Sequence, residues 1–124
     1  MSILLAGDIG GTNARLGVFR HETGRPVLDV ARTYQTSGFP GLEAVITRFC
    51  AGAGVSPAAI QGAAFGVAGP VMRNSVTLTN ANGWHIDGEA VARETGIARI
   101  RLVNELQTMA WGVTALQPGE WMTL

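Results

Sequence analysis

The chain contains no lysine: its nine basic residues are all arginine, set against nine acids. A Gly-Lys-Ser/Thr phosphate loop is therefore excluded. The net charge is zero at pH 7, which removes the electrostatic case for nucleic acid or an anionic membrane as partner. One cysteine, Cys50, rules out an internal disulfide and fits a reducing, cytoplasmic compartment. It reads as a small core residue on a helix, not as a nucleophile. The two histidines, His21 and His85, have no metal-ligand spacing to each other or to the cysteine. No apolar run approaches the length needed to cross a bilayer. The start, MSILLAGDIG, lacks a basic leader region and runs straight into a strand. There is no internal repeat, linker or low-complexity segment.

What remains is a globular composition, 47% apolar and 15% charged over 124 residues. That length fits one domain, which hides about two-thirds of its unfolded surface. Residues 3–9, 14–20 and 27–36 read as three strands joined by short turns, an antiparallel meander. In the third, Val27, Asp29, Ala31 and Thr33 alternate with Leu28, Val30, Arg32 and Tyr34. Leu42, Val45, Ile46, Phe49 and Cys50 recur at helical spacing, and Ala51 to Gly54 stops that helix. Ser56 to Ile60 is a short turn or half-helix. Gly62 to Gly66 carries small residues on both faces, which suits a central, doubly covered strand. Asn74 to Thr79 is a short strand. Trp84-His85-Ile86 leads into Asp87, an N-cap for a helix over 88–95 that Thr95-Gly96 closes. Ile100 to Val103 is the last strand, followed by a helix from Glu105 to about Leu116. A meander followed by strand-helix-strand gives an α/β domain with a mixed sheet and covering helices.

The chain is organised around Leu4 to Val18, LLAGDIGGTNARLGV. A buried strand ends in Gly7-Asp8 and turns through Gly10-Gly11-Thr12-Asn13 into a second strand. Adjacent glycines allow positive φ and close approach of a ligand to the backbone. The turn's N–H groups, the Thr12 hydroxyl and the Asn13 amide make a donor-rich concavity suited to phosphate. Asp8 stands where a carboxylate can hold Mg²⁺ on that phosphate. The rivals are a plain hairpin turn and a dinucleotide fingerprint, which needs G-x-G-x-x-G opening a helix. The glycines here are adjacent and lead into a strand, so the fingerprint fails. On the residues alone the phosphate turn and the structural hairpin stand level.

The string Gly7 to Arg15 resembles the first phosphate motif of bacterial glucokinases, members of the hexokinase/actin-like ATPase superfamily. The resemblance implies that Gly7, Asp8, Ile9, Gly10, Gly11, Thr12 and Asn13 hold the phosphates of ATP, with Asp8 beside the Mg²⁺. It also implies a ribonuclease-H-like sheet of five strands in the order 3-2-1-4-5.

Asn104-Glu105 at the end of the last strand is the second constellation. Ligands of open α/β sheets sit off the carboxyl ends of strands. A carboxylate there can act as general base, and an amide beside it can bind hydroxyls. The plain alternative makes Asn104 a helix N-cap and Glu105 a first-turn acid, and on the pattern alone that is the stronger reading. Bacterial glucokinases carry Asn-Asp here; both residues touch the sugar, and the Asp is the base for its 6-hydroxyl. Asn104 matches. Glu105 departs by one methylene, and a base must lie within about 2.6–3.2 Å of its proton. The segment from Val67 to Ile86 resembles the family's sugar-cleft stretch, with Thr79 and Asn80 supporting the pocket. Trp84 reads as a core anchor, and Met109, Trp111 and Val113 as packing.

The resemblance covers Leu4 to Leu116. It implies that 1–124 is the small N-terminal domain of an enzyme that phosphorylates glucose at the 6-hydroxyl with ATP, the first step of glycolysis. A large C-terminal domain, which completes the adenosine and sugar sites, is absent, so the chain alone is expected to be inactive. The expected partners are glucose and that domain; a homodimer is compatible. The alternatives are another sugar kinase of the superfamily and a non-catalytic sugar-binding or regulatory module.

Overall fold

The computed structural model describes residues 2–78 and 83–104. Three strands open the chain: β1 (Ser2–Ile9), β2 (Asn13–His21) and β3 (Val27–Gln35). They form the expected antiparallel meander, with Ser2 opposite His21, Ile9 opposite Ala14, and Asn13 opposite Gln35. His21, expected in a turn, is the last residue of β2. The alternation expected along β3 is not realised. Val18 faces Val30 while Phe19 faces Leu28, so Asp29 is an extra residue bulged out of the ladder. Both Val27 and Leu28 are exposed, and only Val30, Ala31 and Tyr34 are half-buried. β3 is an edge strand, and the bulge with its exposed Arg20–Asp29 ion pair (2.8 Å) interrupts that edge.

Thr36, expected within the third strand, instead starts a 3₁₀ turn, Thr36–Gly38. Helix α1 (Leu42–Ala53) buries the five residues expected: Leu42, Val45, Ile46, Phe49 and Cys50. It ends at Gly54, whose φ of 71° only glycine adopts at no steric cost. Strand β4 (Gly62–Val67) follows, with every residue buried. It runs parallel to β1, and its small residues let the sheet be covered closely on both faces.

Beyond β4 the sequence reading missed a strand. β5 (Ser75–Leu78) pairs antiparallel with β6 (Trp84–Asp87), forming a ribbon separate from the main sheet. Asp87 ends β6 and caps helix α2 (Gly88–Thr95): its carboxylate accepts from the Glu89 and Ala90 N–H groups at 3.0 and 3.3 Å. Gly96, φ 89°, closes α2. Strand β7 (Ile100–Asn104) then pairs parallel with β4. The main sheet order is β3-β2-β1-β4-β7. This is the expected 3-2-1-4-5, with the fifth position held by β7 because the ribbon stands outside.

One face of the sheet, with α1, α2 and the ribbon, forms the main core around Leu5, Ile9, Phe49, Phe65 and Trp84. Leu4, Phe19 and Ala64 form a smaller cluster on the other face. The free edge of β7 is bridged by Asn74, whose side-chain amide donates to the Ile100 carbonyl and whose oxygen accepts from the Leu102 N–H, both at 2.7 Å. Among the described residues, no helix is long and apolar enough to cross a membrane. The helix expected from Glu105, with Met109, Trp111 and Val113, lies outside the described residues.

Candidate functional site

Parallel pairing sets the geometry of the site. Ile9 lies beside Val67, and Val67 beside Asn104. The ends of β1, β4 and β7 thus form a row at one edge of the sheet. Adjacent strands are about 4.8 Å apart, so Asn104 stands about 10 Å from Ile9. The turn from Gly10 to Asn13 continues directly from β1 at that same edge, as does the end of β3. This is where ligands of open α/β sheets collect. Glu105, next after Asn104, lies outside the described residues, as do Thr79 and Asn80.

Within the turn, the Gly10 N–H donates to the Asn13 carbonyl at 2.8 Å. Asp8, Gly11, Thr12 and Asn13 are exposed. Arg15 stands directly opposite Asp8 on the same face of the β1–β2 pair, placing a cation beside the acid. Gly10 and Gly11 are not among the glycines of positive φ, which among the described residues are Gly24, Gly54, Gly83 and Gly96. Left-handed freedom, expected of them from the sequence, is not their use here. A Cβ on Gly10 would meet only the Asn13 carbonyl, at 3.4 Å, so glycine keeps the backbone uncovered on a side that is otherwise open.

The two remaining residues of the expected phosphate motif are structural in their side-chain positions. Ile9 is fully buried in the main core. Gly7 is buried, and a Cβ there would lie 2.5 and 2.7 Å from two ring carbons of Phe65. Gly7 therefore makes room for the aromatic ring on β4.

Sequence reasoning passed over Thr36, the one buried polar side chain among the described residues, at 1% exposure. Its hydroxyl lies 3.0 Å from the Gly11 carbonyl and 3.1 Å from the Thr12 carbonyl. Its backbone N–H also donates to the Thr12 carbonyl, at 2.9 Å. A lone threonine after an alternating strand gives no signal of this in one dimension.

Trp84 is the anchor that its residue type suggested. It is 4% exposed, and its indole N–H donates to the Phe39 carbonyl at 3.3 Å. The Phe39 ring meets Tyr34 edge-on at 5.7 Å. The ribbon is thereby tied to the segment that follows Thr36. His85 bonds across the ribbon to Thr77 and Ser75 at 2.9 and 3.3 Å, and His21 donates to the Gly24 carbonyl at 2.7 Å. Among the described residues, no cluster of three or more His, Cys, Asp or Glu could hold a metal alone. Cys50 is buried, and desolvation pushes its thiol pKa up from 9.0, which leaves it a poor nucleophile.

A family model described as Glucokinase matches residues 5–124. The glucokinase of Nostoc sp. is 34% identical over 125 residues, covering 100% of this chain and 36% of its own length. A crystal structure of glucokinase from an Antarctic psychrotroph superposes with a TM-score of 0.78 at 24% identity, over 96% of this chain and 37% of that one. A ROK family glucokinase from Streptomyces griseus, solved with glucose and AMPPNP, gives a TM-score of 0.60 at 24% identity, over 90% of this chain and 36% of that one. The fold is thus that of sugar kinases with the actin-like ATPase architecture, and the chain spans little more than a third of the length of the relatives it matches. With the family model covering all but the first four residues, the chain belongs to the glucokinase family.

Proposed function

We propose that the complete protein transfers the γ-phosphoryl group of ATP to the 6-hydroxyl of glucose, and that residues 1–124 are its small N-terminal domain. The observation that carries this is the row Ile9–Val67–Asn104 at the carboxyl edge of the sheet, with the exposed Gly10–Asn13 turn at one end. A donor-rich turn and a strand-end amide lie about 10 Å apart there, room for a phosphoryl group and a sugar hydroxyl between them. That the Streptomyces griseus structure holds glucose and AMPPNP supports the same pair of ligands.

In this reading the Thr12 hydroxyl and the Thr12 and Asn13 N–H groups cradle phosphate, while the Gly10 N–H stays on the Asn13 carbonyl. Asp8 is an exposed carboxylate, which fits Mg²⁺ because that ion takes one or two protein carboxylates and completes its shell with phosphate and water. When bound, Mg²⁺ neutralises charge on the phosphates. Asn104 orients the sugar by hydrogen bonds to its hydroxyls. Glu105 takes the proton of the 6-hydroxyl as that oxygen attacks the γ-phosphorus and ADP departs. The remaining two-thirds of the protein closes over the substrates and excludes water, so the 124-residue chain alone has negligible turnover.

The test uses the full-length gene product. Glu105→Gln should lower kcat by about 10²–10⁴-fold, the usual size of a general base's contribution, with the KM for glucose little changed. Asn104→Ala should raise that KM. Unchanged kcat in Glu105→Gln would remove the base assignment.

A further inference from the structure

We propose that Thr36 is a positioning residue for the phosphate turn, locking two peptide planes so that the Thr12 and Asn13 N–H groups face the ligand. This rests on the proposal that the turn binds the phosphates of ATP.

A trans peptide is planar, and its C=O and N–H point in opposite directions. The Gly11 carbonyl shares its plane with the Thr12 N–H, and the Thr12 carbonyl shares its plane with the Asn13 N–H. Thr36 engages both carbonyls from β3's end: its hydroxyl reaches Gly11 and Thr12 at 3.0 and 3.1 Å, and its N–H reaches Thr12 at 2.9 Å. Both oxygens are thereby held toward β3. Both N–H groups must then point the other way, toward the side on which β1, β4 and β7 end.

The orientation matters because of charge. A flipped plane would aim a carbonyl oxygen at the phosphate in place of a donor. The residues that would flip are adjacent to Gly10 and Gly11, where the absence of Cβ leaves the backbone little resistance of its own. A hydroxyl has one hydrogen, so the two contacts are one shared donation. The Thr12 carbonyl keeps a second partner in the Thr36 N–H, whereas the Gly11 carbonyl depends on the side chain. Burial strengthens the lock: at 1% exposure, water does not compete for the hydroxyl.

The position also explains why a buried side chain here is polar. Valine has nearly the same shape and would serve a purely packing role without desolvating a hydroxyl. Thr36 starts the 3₁₀ turn that leads to Phe39, whose carbonyl is tied to Trp84, so the hydroxyl sits on a fixed base.

The experiment compares Thr36→Val and Thr36→Ser in the full-length gene product. For each, KM and kcat are measured for ATP and for glucose, together with amide hydrogen exchange at Gly10, whose N–H is bonded to the Asn13 carbonyl. Thr36→Val should lower kcat/KM for ATP by about tenfold or more, since misplacement by about 1 Å can cost a hundredfold. The KM for glucose should stay within about twofold, because Asn104, the proposed sugar ligand, ends β7 and is not part of the turn. Exchange at Gly10 should accelerate, because its bond to the Asn13 carbonyl closes the turn that Thr36 holds. Thr36→Ser keeps the hydroxyl and should restore the ATP parameters. If Thr36→Val does not fold, Thr36→Cys, with its weaker and longer S–H bond, should give an intermediate ATP defect. Unchanged ATP parameters in Thr36→Val would overturn the proposal. So would equal losses for ATP and glucose that Thr36→Ser does not rescue, which mark a merely structural role. Absence of ATP-dependent phosphorylation in the unmodified protein would defeat the proposed function alone; the exchange measurement would still decide whether Thr36 holds the turn.

Discussion

Replacing Gly7 by alanine tests the packing on which the site row stands. The new Cβ would lie 2.5 and 2.7 Å from Phe65 ring carbons and 3.2 Å from the Arg15 carbonyl. Phe65 is fully buried on a strand with no exposed residue, so the ring has no open space to enter. Overpacking of this kind costs about 1–3 kcal/mol. The reduced freedom of alanine in the unfolded chain offsets about 0.4–1 kcal/mol, since Gly7 does not need positive φ. The net loss is about 1–2 kcal/mol, a fall in Tm of about 4 °C or more for a domain of this size. Urea unfolding followed by tryptophan fluorescence measures it. The double variant Gly7→Ala/Phe65→Leu identifies the cause: it should be more stable than the sum of the two single changes by about 1 kcal/mol or more. Strict additivity, or an undiminished Gly7→Ala, would refute the argument that Gly7 exists to admit the ring. The strain also reaches function. Phe65 precedes Val67 by two residues, and Val67 is the middle of the row between Ile9 and Asn104.

Two further outcomes follow from single residues. Asn74 has φ 58° and makes both bonds to the β7 edge. Asn74→Ala should cost about 2–4 kcal/mol, from left-handed strain plus two lost hydrogen bonds. Asn74→Gly should cost less because the strain is gone, and both should speed hydrogen exchange at Leu102; an equal cost for the two would show that the backbone is not strained. Cys50 has a folded-state pKa raised by burial, so its contribution to stability is complete below the ordinary thiol value of 9.0 and is lost as pH rises toward the folded value. Stability should fall with pH above that value and fall less steeply in Cys50→Ala; parallel slopes would contradict the assignment.

Much of the fold was legible because its connections are short. Turns of a few residues force β1, β2 and β3 into a meander, and a strand as small and apolar as Gly62 to Val67 fits only the centre of a sheet. The face of α1 was legible because its five apolar residues keep helical spacing without interruption. β6 was not. Four residues are too few to show alternation, and Trp84-His85-Ile86 acquires a strand partner only through the β5 ladder. The faces of β3 were misjudged because the bulge at Asp29 resets the phase, and an edge strand has less need to bury either side. At the site, the turn was visible through its glycines, but their use was not: openness at Gly10 and packing at Gly7, in place of positive φ. Thr36 was invisible because its partners are 24 and 25 residues away.

The most direct measurement is a coupled assay of ADP formation by the full-length gene product with glucose and ATP, with the product's phosphate position read by NMR. The account predicts glucose-dependent ADP release, phosphate on the 6-oxygen, and loss of that activity in Asp8→Asn. No ADP formation with glucose, phosphate on another oxygen, or full activity in Asp8→Asn would contradict it.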